Sequence, residues 1–240
     1  MAITSPKRLI NSGKMVNGVG VDMGYSLSDM ERTIADSSCD FLSIDSQHAP
    51  YNEDRLEEFC RNAKSLDMPV LFRIKHTRHT YLIGNYLDLG PTGIVVPEVR
   101  DVSTVDEALH SFYYPQKGKR SWGGSSRWGI EAHPDRLDYA SWWNETGVLQ
   151  LQLESVDAVI NCRKLGKCGV DAFTFGPNDL SYDIESYSKP PFRSVDECVA
   201  HVVKELDGTG IAVGIALHDP KDRQRYVDMG LTVLQTPPIT

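Results

Sequence analysis

The sequence predicts a parallel α/β barrel of the (β/α)8 type, and three observations support that fold class. The chain has 240 residues, which is close to the typical length of one such barrel. Eight short apolar runs alternate with segments of helical periodicity, as parallel strands joined by crossover helices require. Polar side chains repeatedly follow the apolar runs, as Asp45, Arg73, Glu154 and Asp179 do. Barrel enzymes build their active sites at these positions, the carboxyl ends of the strands.

The predicted strands are short and apolar, and they cover residues 18–21, 41–44, 70–74, 93–96, 148–153, 172–175, 212–216 and 231–234. The helices between them are predicted at 28–35, 52–65, 81–87, 101–111, 157–165, 195–206 and 220–228. In the second helix, Asn52 is a suitable N-cap, and Glu53 and Asp54 suit the first turn. The chain stops just after the eighth strand, so we expect the last helix to be truncated.

Residues 113–144 interrupt the alternation of strands and helices. They are rich in glycine, serine and tryptophan and carry only a brief helical signal. A loop of that length in a compact domain is usually functional. No linker or low-complexity segment divides the chain, so we predict one domain over residues 1–240. An open, doubly wound sheet is the alternative, but no Gly-x-Gly-x-x-Gly turn follows the first strand.

Composition limits the possible partners. The net charge is −8, with 24% charged and 40% hydrophobic residues, so we expect no nucleic-acid partner. No apolar stretch approaches the roughly 20 residues that span a bilayer, and the first residues lack the apolar core of a signal peptide. We therefore expect a cytoplasmic enzyme without a membrane partner. The five cysteines have no zinc-type spacing and are expected to be reduced and mostly buried.

Two carboxylates are the candidate metal ligands. Glu154 and Asp179 follow strands five and six, which are neighbours in a barrel, so both can reach one point. Two carboxylates, completed by waters and substrate oxygens, suit a hard divalent cation such as Mg²⁺ or Mn²⁺. Gln152 would support this site by holding a water or the substrate. The alternative is that Asp179 caps the next helix and Glu154 is a surface acid.

Arg73 and His48 are the candidate catalytic side chains. A guanidinium at the barrel mouth can hold a keto oxygen and stabilise the negative charge of an enolate, so Arg73 suits that role. Alternatively, Arg73 is a structural ion-pair partner of Asp45. An imidazole titrates near neutrality and can move a proton directly or through a water, which makes His48 the candidate base. A lone histidine in a loop is more often inert.

With these residues in view, the chain resembles the HpcH/HpaI aldolase family, the metal-dependent class II pyruvate aldolases that include hydroxyketoheptanedioate aldolase and dehydrodeoxyglucarate aldolase, with macrophomate synthase as a relative. The resemblance runs from about residue 18 to residue 234. It rests on five pieces in the same order: Ile44-Asp45-x-x-His48-Ala49-Pro50, the strand ending in Arg73, Tyr114-Pro115-x-x-Gly118-x-Arg120, Gln152-x-Glu154, and Gly176-Pro177-Asn178-Asp179-Leu180-Ser181.

The resemblance assigns the metal to Glu154 and Asp179, with other divalent cations possible besides Mg²⁺ and Mn²⁺. It places the carboxylate of the 2-oxo acid against the backbone at Gly176, Pro177 and Asn178. That segment begins a helix, where N–H groups and the helix dipole favour an anion.

The resemblance also pairs His48 with an aspartate that aligns with Asp88, from the helix before strand four. Asp45 would then orient Arg73 or the waters of the metal rather than bind the metal directly. The family's usual assembly implies a homo-oligomer.

Four segments depart from the family pattern. Residues 45–48 read Asp-Ser-Gln-His where the family has Asp-x-Glu-His, so one acidic group near the base is missing. Residues 114–121 lack the second proline and the last glycine of Tyr-Pro-Pro-x-Gly-x-Arg-Gly. Residues 122–128 are idiosyncratic in a region that in the family helps to shape the acceptor pocket. Residues 235–238, Gln-Thr-Pro-Pro, replace a terminal Gly-x-Asp, which puts the usual hexamer in doubt.

Several other features have two readings. Trp122, Trp128, Trp142 and Trp143 would line a pocket for an apolar or aromatic acceptor, although the last two would serve equally well in packing or in an oligomer contact. His76 and His79 are spaced like a metal pair, but no third ligand is nearby in the sequence. Lys75 resembles a Schiff-base lysine of class I aldolases. The carboxylates Glu154 and Asp179 favour a metal-dependent mechanism over a Schiff base.

These observations predict a divalent-metal-dependent carbon–carbon lyase that acts on 2-oxo acids of the pyruvate or oxaloacetate type through pyruvate enolate, with an unidentified acceptor. The alternatives are an oxaloacetate decarboxylase, a biosynthetic enolate condensation or cyclisation enzyme with an unusual acceptor, and a non-catalytic barrel that binds a small acid. A lyase of CoA thioesters is a further option, but no basic site for the CoA phosphates is evident.

Overall fold

Eight parallel strands form a closed barrel in sequence order, each hydrogen-bonded to the next and the eighth to the first. The computed structural model describes residues 5–238. The strands are β1 (Val16–Gly20), β2 (Phe41–Asp45), β3 (Val70–Arg73), β4 (Gly93–Val96), β5 (Val148–Leu153), β6 (Ala172–Phe175), β7 (Ala212–Ala216) and β8 (Val233–Thr236). The predicted (β/α)8 fold is confirmed. The first and last strands are each displaced by about two residues from the prediction, because they pair with one another from Val16–Val233 to Val19–Thr236.

The α-helices are α1 (Pro6–Asn11), α2 (Leu27–Ser37), α3 (Glu53–Ser65), α4 (Ile83–Asp88), α5 (Val102–Phe112), α6 (Arg136–Thr146), α7 (Val156–Ile160), α8 (Cys162–Leu165), α9 (Pro177–Ser186), α10 (Val195–Leu206) and α11 (Arg223–Asp228). Short 3-10 helices, Thr77–Leu82 and Pro220–Asp222, precede α4 and α11. Within residues 5–238, no helix combines the length and the apolar character that crossing a membrane would need.

Local capping explains where several helices begin. Asn52 accepts a hydrogen bond from the backbone N–H of Arg55 at 3.2 Å, so α3 starts where the sequence predicts. Asp135 accepts from the N–H groups of Leu137 and Asp138 at 2.9 and 3.0 Å and starts α6. This helix occupies the second part of the segment expected to be a loop. Its sequence lacks a clear apolar stripe, which is why the segment carries only a brief helical signal.

The barrel interior changes character along its axis. At its amino end, where the strands begin, it is filled by apolar side chains from the strands and from α1: Ile10, Val16, Phe41, Leu71, Val95, Val148, Ala172 and Val233. Inward-facing residues alternate along each strand, so Gln150 and Gln152 on β5 follow Val148 on the same face. Polar side chains therefore occupy the upper interior and the carboxyl end, where a site can be built.

A buried ion pair ties α1 to the amino end of the barrel. The Nζ atom of Lys7 lies 3.0 Å from a carboxylate oxygen of Asp171, and it donates to the carbonyl oxygen of Gly147 at 2.8 Å and to the hydroxyl of Tyr113 at 3.0 Å. Burial raises the pKa of Asp171, although the charge of Lys7 opposes the shift. The ammonium group is thus paired and hydrogen-bonded, as a buried charge must be.

Removing that ammonium group is expected to destabilise the protein. Lys7→Met leaves Asp171 buried without its partner and should lower the free energy of unfolding by about 3 kcal/mol at pH 7, measured by urea denaturation. Arg8→Met, at the exposed neighbouring position of α1, is the matched control and should change stability by less than about 0.5 kcal/mol. Equal effects of the two substitutions would contradict the buried-pair interpretation.

Candidate active site

The carboxyl end of the barrel contains a cavity of about 510 Å³. Arg73, Asp45 and Gln152 lie around it, and the loop after β1 closes one side through Met23 and Tyr25. These polar residues come from three different strands, β2, β3 and β5, which the closed sheet brings to one opening. The cavity is therefore where the sequence predicts the active site of a parallel barrel.

Arg73 is held in place by Asp45. Its Nε and Nη2 atoms donate to the two carboxylate oxygens of Asp45 at 2.7 and 2.6 Å, and its Nη1 atom lies 3.4 Å from Oε1 of Gln152. Burial alone would raise the pKa of Asp45, but the hydrogen bonds and charge of Arg73 lower it. The two readings of Arg73 are thus compatible, because the ion pair with Asp45 turns the remaining nitrogen, Nη1, toward Gln152.

Glu154 follows β5 and is a buried carboxylate, with 4% of its surface exposed. Its Oε2 atom accepts a hydrogen bond from the backbone N–H of Glu98 at 2.8 Å, whereas its Oε1 atom is buried without a hydrogen-bond partner among residues 5–238. Burial raises the pKa of Glu154 to about 7, and the charges of Asp179 and Glu98 act in the same direction. A surface acid, the alternative reading of Glu154, would show none of these properties.

Glu98 belongs to this region, although no motif in the sequence indicates it. Its backbone has a φ of +50°, in the left-handed region that non-glycine residues seldom adopt. This conformation directs its N–H at Glu154, and its own carboxylate lies 3.7 Å from Nε2 of His76. No sequence signal predicts such a backbone angle, because glutamate is not a residue that favours it.

Gly176 and the start of α9 complete the surroundings of Glu154. A Cβ atom at position 176 would lie 2.3 Å from Oε1 of Glu154 and 2.7 Å from Nε2 of Gln152, so only glycine allows this approach. Pro177 occupies the first turn of α9, where no N–H is required, and Asp179 lies in the same turn and is exposed. The carboxylate of Asp179 is close enough to Glu154 to raise its pKa.

The donor set fits a hard divalent cation. Among residues 5–238, no three His, Cys, Asp or Glu side chains are grouped so that they could hold a metal by themselves. Two carboxylates, one of them with an unpartnered buried oxygen, match the pattern in which Mg²⁺ binds one or two carboxylates and takes its other ligands from water and substrate. Glu154 and Asp179 would be those ligands.

The structure separates two residues that were expected to pair. His48 is exposed in the loop after β2, and its backbone N–H donates to Asp45 at 3.3 Å. Asp88 ends α4, which returns the chain to the amino end of the barrel, and it accepts a hydrogen bond from Arg120 at 2.8 Å. Within one chain, Asp88 therefore lies at the opposite end of the barrel from His48. Burial raises the pKa of Asp88, partly offset by Arg120.

The tryptophans do not line the cavity at the mouth. We call residues 113–135 the aromatic loop; it follows α5 and leads into α6, both at the amino end of the barrel. Arg127 stacks on Trp122 with 3.9 Å between the guanidinium carbon and the ring centre, and Trp143 is almost fully buried. Packing is thus the reading that holds for Trp143. Trp128 and Trp142 line a separate, smaller pocket of about 230 Å³ beside Pro69 and Thr92, so they do not shape the cavity that contains Arg73.

The remaining candidate residues are His76, His79 and Lys75, and their contacts are those of structural or exposed side chains. His76 caps the 3-10 helix by accepting from the N–H of Arg78 at 3.0 Å, and His79 lies 3.3 Å from the hydroxyl of Tyr86. Lys75 is exposed beyond the end of β3 and is not among the residues around the cavity. Neither the histidine pair nor a Schiff-base lysine is supported by these positions.

Known proteins are similar to this chain in sequence and in fold. The profile of the HpcH/HpaI aldolase/citrate lyase family matches residues 24–236. The chain is 28% identical over 218 residues to a 4-hydroxy-2-oxo-heptane-1,7-dioate aldolase from Shigella boydii, covering 88% of this chain and 80% of that protein. It is 29% identical over 217 residues to a hydroxypyruvate/pyruvate aldolase from Delftia acidovorans, covering 88% and 78%.

Solved structures of other proteins have the same fold. An HpcH/HpaI aldolase from Desulfitobacterium hafniense superimposes with a TM-score of 0.81 at 28% identity, covering 96% of this chain and 89% of that one. Macrophomate synthase has the same fold, with a TM-score of 0.77 at 20% identity over 98% of this chain and 83% of its own. The chain therefore belongs to the HpcH/HpaI aldolase/citrate lyase family, a family of carbon–carbon lyases.

Proposed function

We propose that this protein is a divalent-metal-dependent lyase of the class II aldolase type, which cleaves or forms a carbon–carbon bond of a 2-oxo acid through pyruvate enolate. The observation that carries the proposal is the buried, unpartnered Oε1 atom of Glu154 in the space that Gly176 leaves open. The names of the two aldolase relatives, which include a 2-oxo acid and pyruvate, support the substrate class.

Glu154 and Asp179 would hold Mg²⁺, Mn²⁺ or another divalent cation, which supplies Lewis-acid stabilisation of the enolate when bound. The backbone amides that open α9, at Asn178 and Asp179, would bind the carboxylate of the 2-oxo acid, with Gly176 and Pro177 shaping that turn. Gln152 would hold a water or a substrate oxygen at the edge of the cavity.

The charge and proton steps fall to Arg73 and His48. Nη1 of Arg73 would donate to the keto oxygen and stabilise the negative charge that develops there, while Asp45 keeps the guanidinium oriented. His48 would move the proton, since its exposed ring in the loop after β2 can exchange with water. Asp88 has no part in this proposal within one chain, because Arg120 holds it at the other end of the barrel.

We expect the protein to be a homo-oligomer in the cytoplasm. All five cysteines are free, and four of them are buried, which suits a reducing compartment. Light scattering after size exclusion tests the oligomeric state.

Exchange of the methyl protons of pyruvate in D₂O, followed by NMR, tests the enolate chemistry without any assumption about the acceptor. We expect exchange with Mg²⁺ or Mn²⁺ and none after a chelator is added. Absence of exchange with every divalent metal, together with absence of oxaloacetate decarboxylation, would contradict the proposal and favour a non-catalytic barrel that binds a small acid.

Arg73→Lys is expected to lower the rate of pyruvate proton exchange by about 100-fold. Lysine carries the charge but not the planar fork, so it cannot bind both oxygens of Asp45 and also direct a donor toward the substrate. The rate of exchange should fall much more than the affinity for pyruvate, which titration can measure separately. Arg78→Lys, at an exposed position five residues later, is the control and should exchange protons at the wild-type rate.

A further inference from the structure

The interior of the barrel directly below the active site is polar. Ser43, Gln150, Thr174 and Gln235 line the same cavity as Arg73, deeper than Arg73 along their strands. Barrel interiors at this level are usually filled by branched apolar side chains. Four polar side chains in that position therefore need an explanation beyond packing.

Gln150 is the clearest of the four. Only 4% of its surface is exposed, and its Nε2 atom is buried without a hydrogen-bond partner among residues 5–238. It lies two residues before Gln152 on the same inward face of β5, about 7 Å farther down the strand and so about 5 Å deeper in the barrel. A buried donor without a partner is costly, which leucine or valine at this position would avoid.

Small residues on the neighbouring strands leave room beside Gln235. A Cβ atom on Gly20 would lie 3.0 Å from Nε2 of Gln235, so the absence of a side chain at position 20 allows the amide to lie there. Ala216 is another small residue in the lining. The cavity of about 510 Å³ thus reaches from the mouth down to two side-chain amides.

The charges around the cavity limit what can enter it. Among the described residues of its lining, Arg73 is the one cation, and Asp45 already binds two of its nitrogens. A carboxylate placed at the depth of Gln150 would lose its hydration without gaining a counter-charge. Amides and hydroxyls both donate and accept hydrogen bonds, so they match an uncharged group that also does both.

We infer that the barrel interior around Gln150 and Gln235 is a subsite for an uncharged, hydroxyl-bearing part of the substrate. This inference rests on the proposed function and narrows its substrate class. The hydroxyl can come from the acceptor, as in a short hydroxyaldehyde, or from the 2-oxo acid itself, as in a 3-hydroxy-2-oxo acid. It distinguishes such substrates from aldehydes that end in a carboxylate.

The acceptor is tested by aldol addition of pyruvate to glyceraldehyde, propionaldehyde and succinic semialdehyde, which are hydroxylated, unsubstituted and carboxylated respectively. We expect the wild type to favour glyceraldehyde in kcat/KM. Gln150→Leu should lower the glyceraldehyde-to-propionaldehyde ratio by about 10-fold, because it removes a hydrogen bond that only one of them can make. Slower enolate formation would lower kcat/KM for both aldehydes by the same factor, so it would not change this ratio.

The donor is tested by proton exchange at C3 of hydroxypyruvate relative to pyruvate, in the wild type and in Gln150→Leu. A 10-fold fall in this ratio assigns the subsite to the donor, and a fall in the aldehyde ratio assigns it to the acceptor. Gln116→Leu, at an exposed position of the aromatic loop, is the matched control and should change neither ratio. Gln235→Ala is the second variant and should lower the same ratio as Gln150→Leu.

The outcomes separate this inference from the proposed function. If the wild type exchanges pyruvate protons but neither ratio changes in Gln150→Leu or in Gln235→Ala, the subsite is wrong and the aldolase proposal stands. If the wild type exchanges no pyruvate protons and does not decarboxylate oxaloacetate, the aldolase proposal itself fails. Thermal unfolding of Gln150→Leu adds a check independent of catalysis, since removing an unpartnered buried donor should raise the melting temperature.

Discussion

Glu154→Gln is expected to lower metal-dependent exchange of pyruvate protons by about 1,000-fold or more. The substitution keeps the shape of the side chain and an oxygen that can accept from the N–H of Glu98. It removes the negative charge of the group that would bind the cation. The measurement is the NMR exchange rate over a range of Mg²⁺ and Mn²⁺ concentrations. Exchange at the wild-type rate in Glu154→Gln would contradict the assigned role.

Glu154→Gln is also expected to make the folded protein more stable than the wild type at pH 8 when a chelator is present. Burial raises the pKa of Glu154 to about 7, from 4.5 in the unfolded chain. The folded protein therefore holds this proton more tightly than the unfolded one, and its stability falls as the pH rises between those two values. Above pH 7, this difference in pKa lowers the free energy of unfolding by about 3 kcal/mol. Glutamine does not ionise, so Glu154→Gln escapes this loss.

Urea denaturation with chelator at pH 4.5 and pH 8 measures this effect. Glu154→Gln should gain stability relative to the wild type as the pH rises, with most of the gain complete above pH 7. Glu185→Gln, at an exposed position of α9, is the control and should show no such trend. A variant less stable than the wild type at pH 8 would show that the Glu154 carboxylate is stabilised by its surroundings without any cation.

Gly176→Ala is expected to reduce proton exchange by about 100-fold while the barrel still folds. The added methyl group would lie 2.3 Å from Oε1 of Glu154 and 2.7 Å from Nε2 of Gln152, distances that real atoms do not tolerate. Either side chain must move, and Glu154 is the one whose position the cation needs. The apparent affinity for Mn²⁺, measured by calorimetry, should weaken together with the exchange rate.

Gly123→Ala is the matched control for the glycine substitution. Its new methyl group would meet the nearest atom, Oδ2 of Asp88, at an ordinary contact distance of 3.6 Å. It lies in the aromatic loop at the other end of the barrel, so exchange and Mn²⁺ affinity should stay at wild-type values. If Gly176→Ala behaves like Gly123→Ala, the close approach at Glu154 has no functional role.

Local patterns in the sequence were sufficient for much of the fold and for part of the site. Apolar runs of strand length predict all eight strands, and the two that are displaced, β1 and β8, pair with each other across the closure of the barrel. The alternation of a strand also predicts that Gln152, near the end of β5, and Glu154, just after it, lie on the same side of the chain. For Arg73, position at the end of β3 is enough to predict that it reaches the mouth.

Other features depended on which end of the barrel a segment reaches. A motif match aligned Asp88 with a partner of His48, but α4 carries Asp88 to the amino end, where Arg120 binds it. The tryptophans of the aromatic loop are likewise at the amino end and do not surround the cavity. The motif match alone does not show these positions, whereas the order of the elements does, because each crossover helix of a parallel barrel ends at the amino end of the next strand.

The alternation of strands and helices, and the polar residues that follow β2, β3, β5 and β6, are predictable from the sequence alone. The alternation of a strand and the capping of a helix depend on residues only a few positions apart, so the sequence is enough to predict them. The left-handed backbone of Glu98, the unpartnered oxygen of Glu154 and the buried amide of Gln150 become visible only in the folded barrel. Each of these depends on which groups approach from other strands, and those contacts exist only once the barrel has closed.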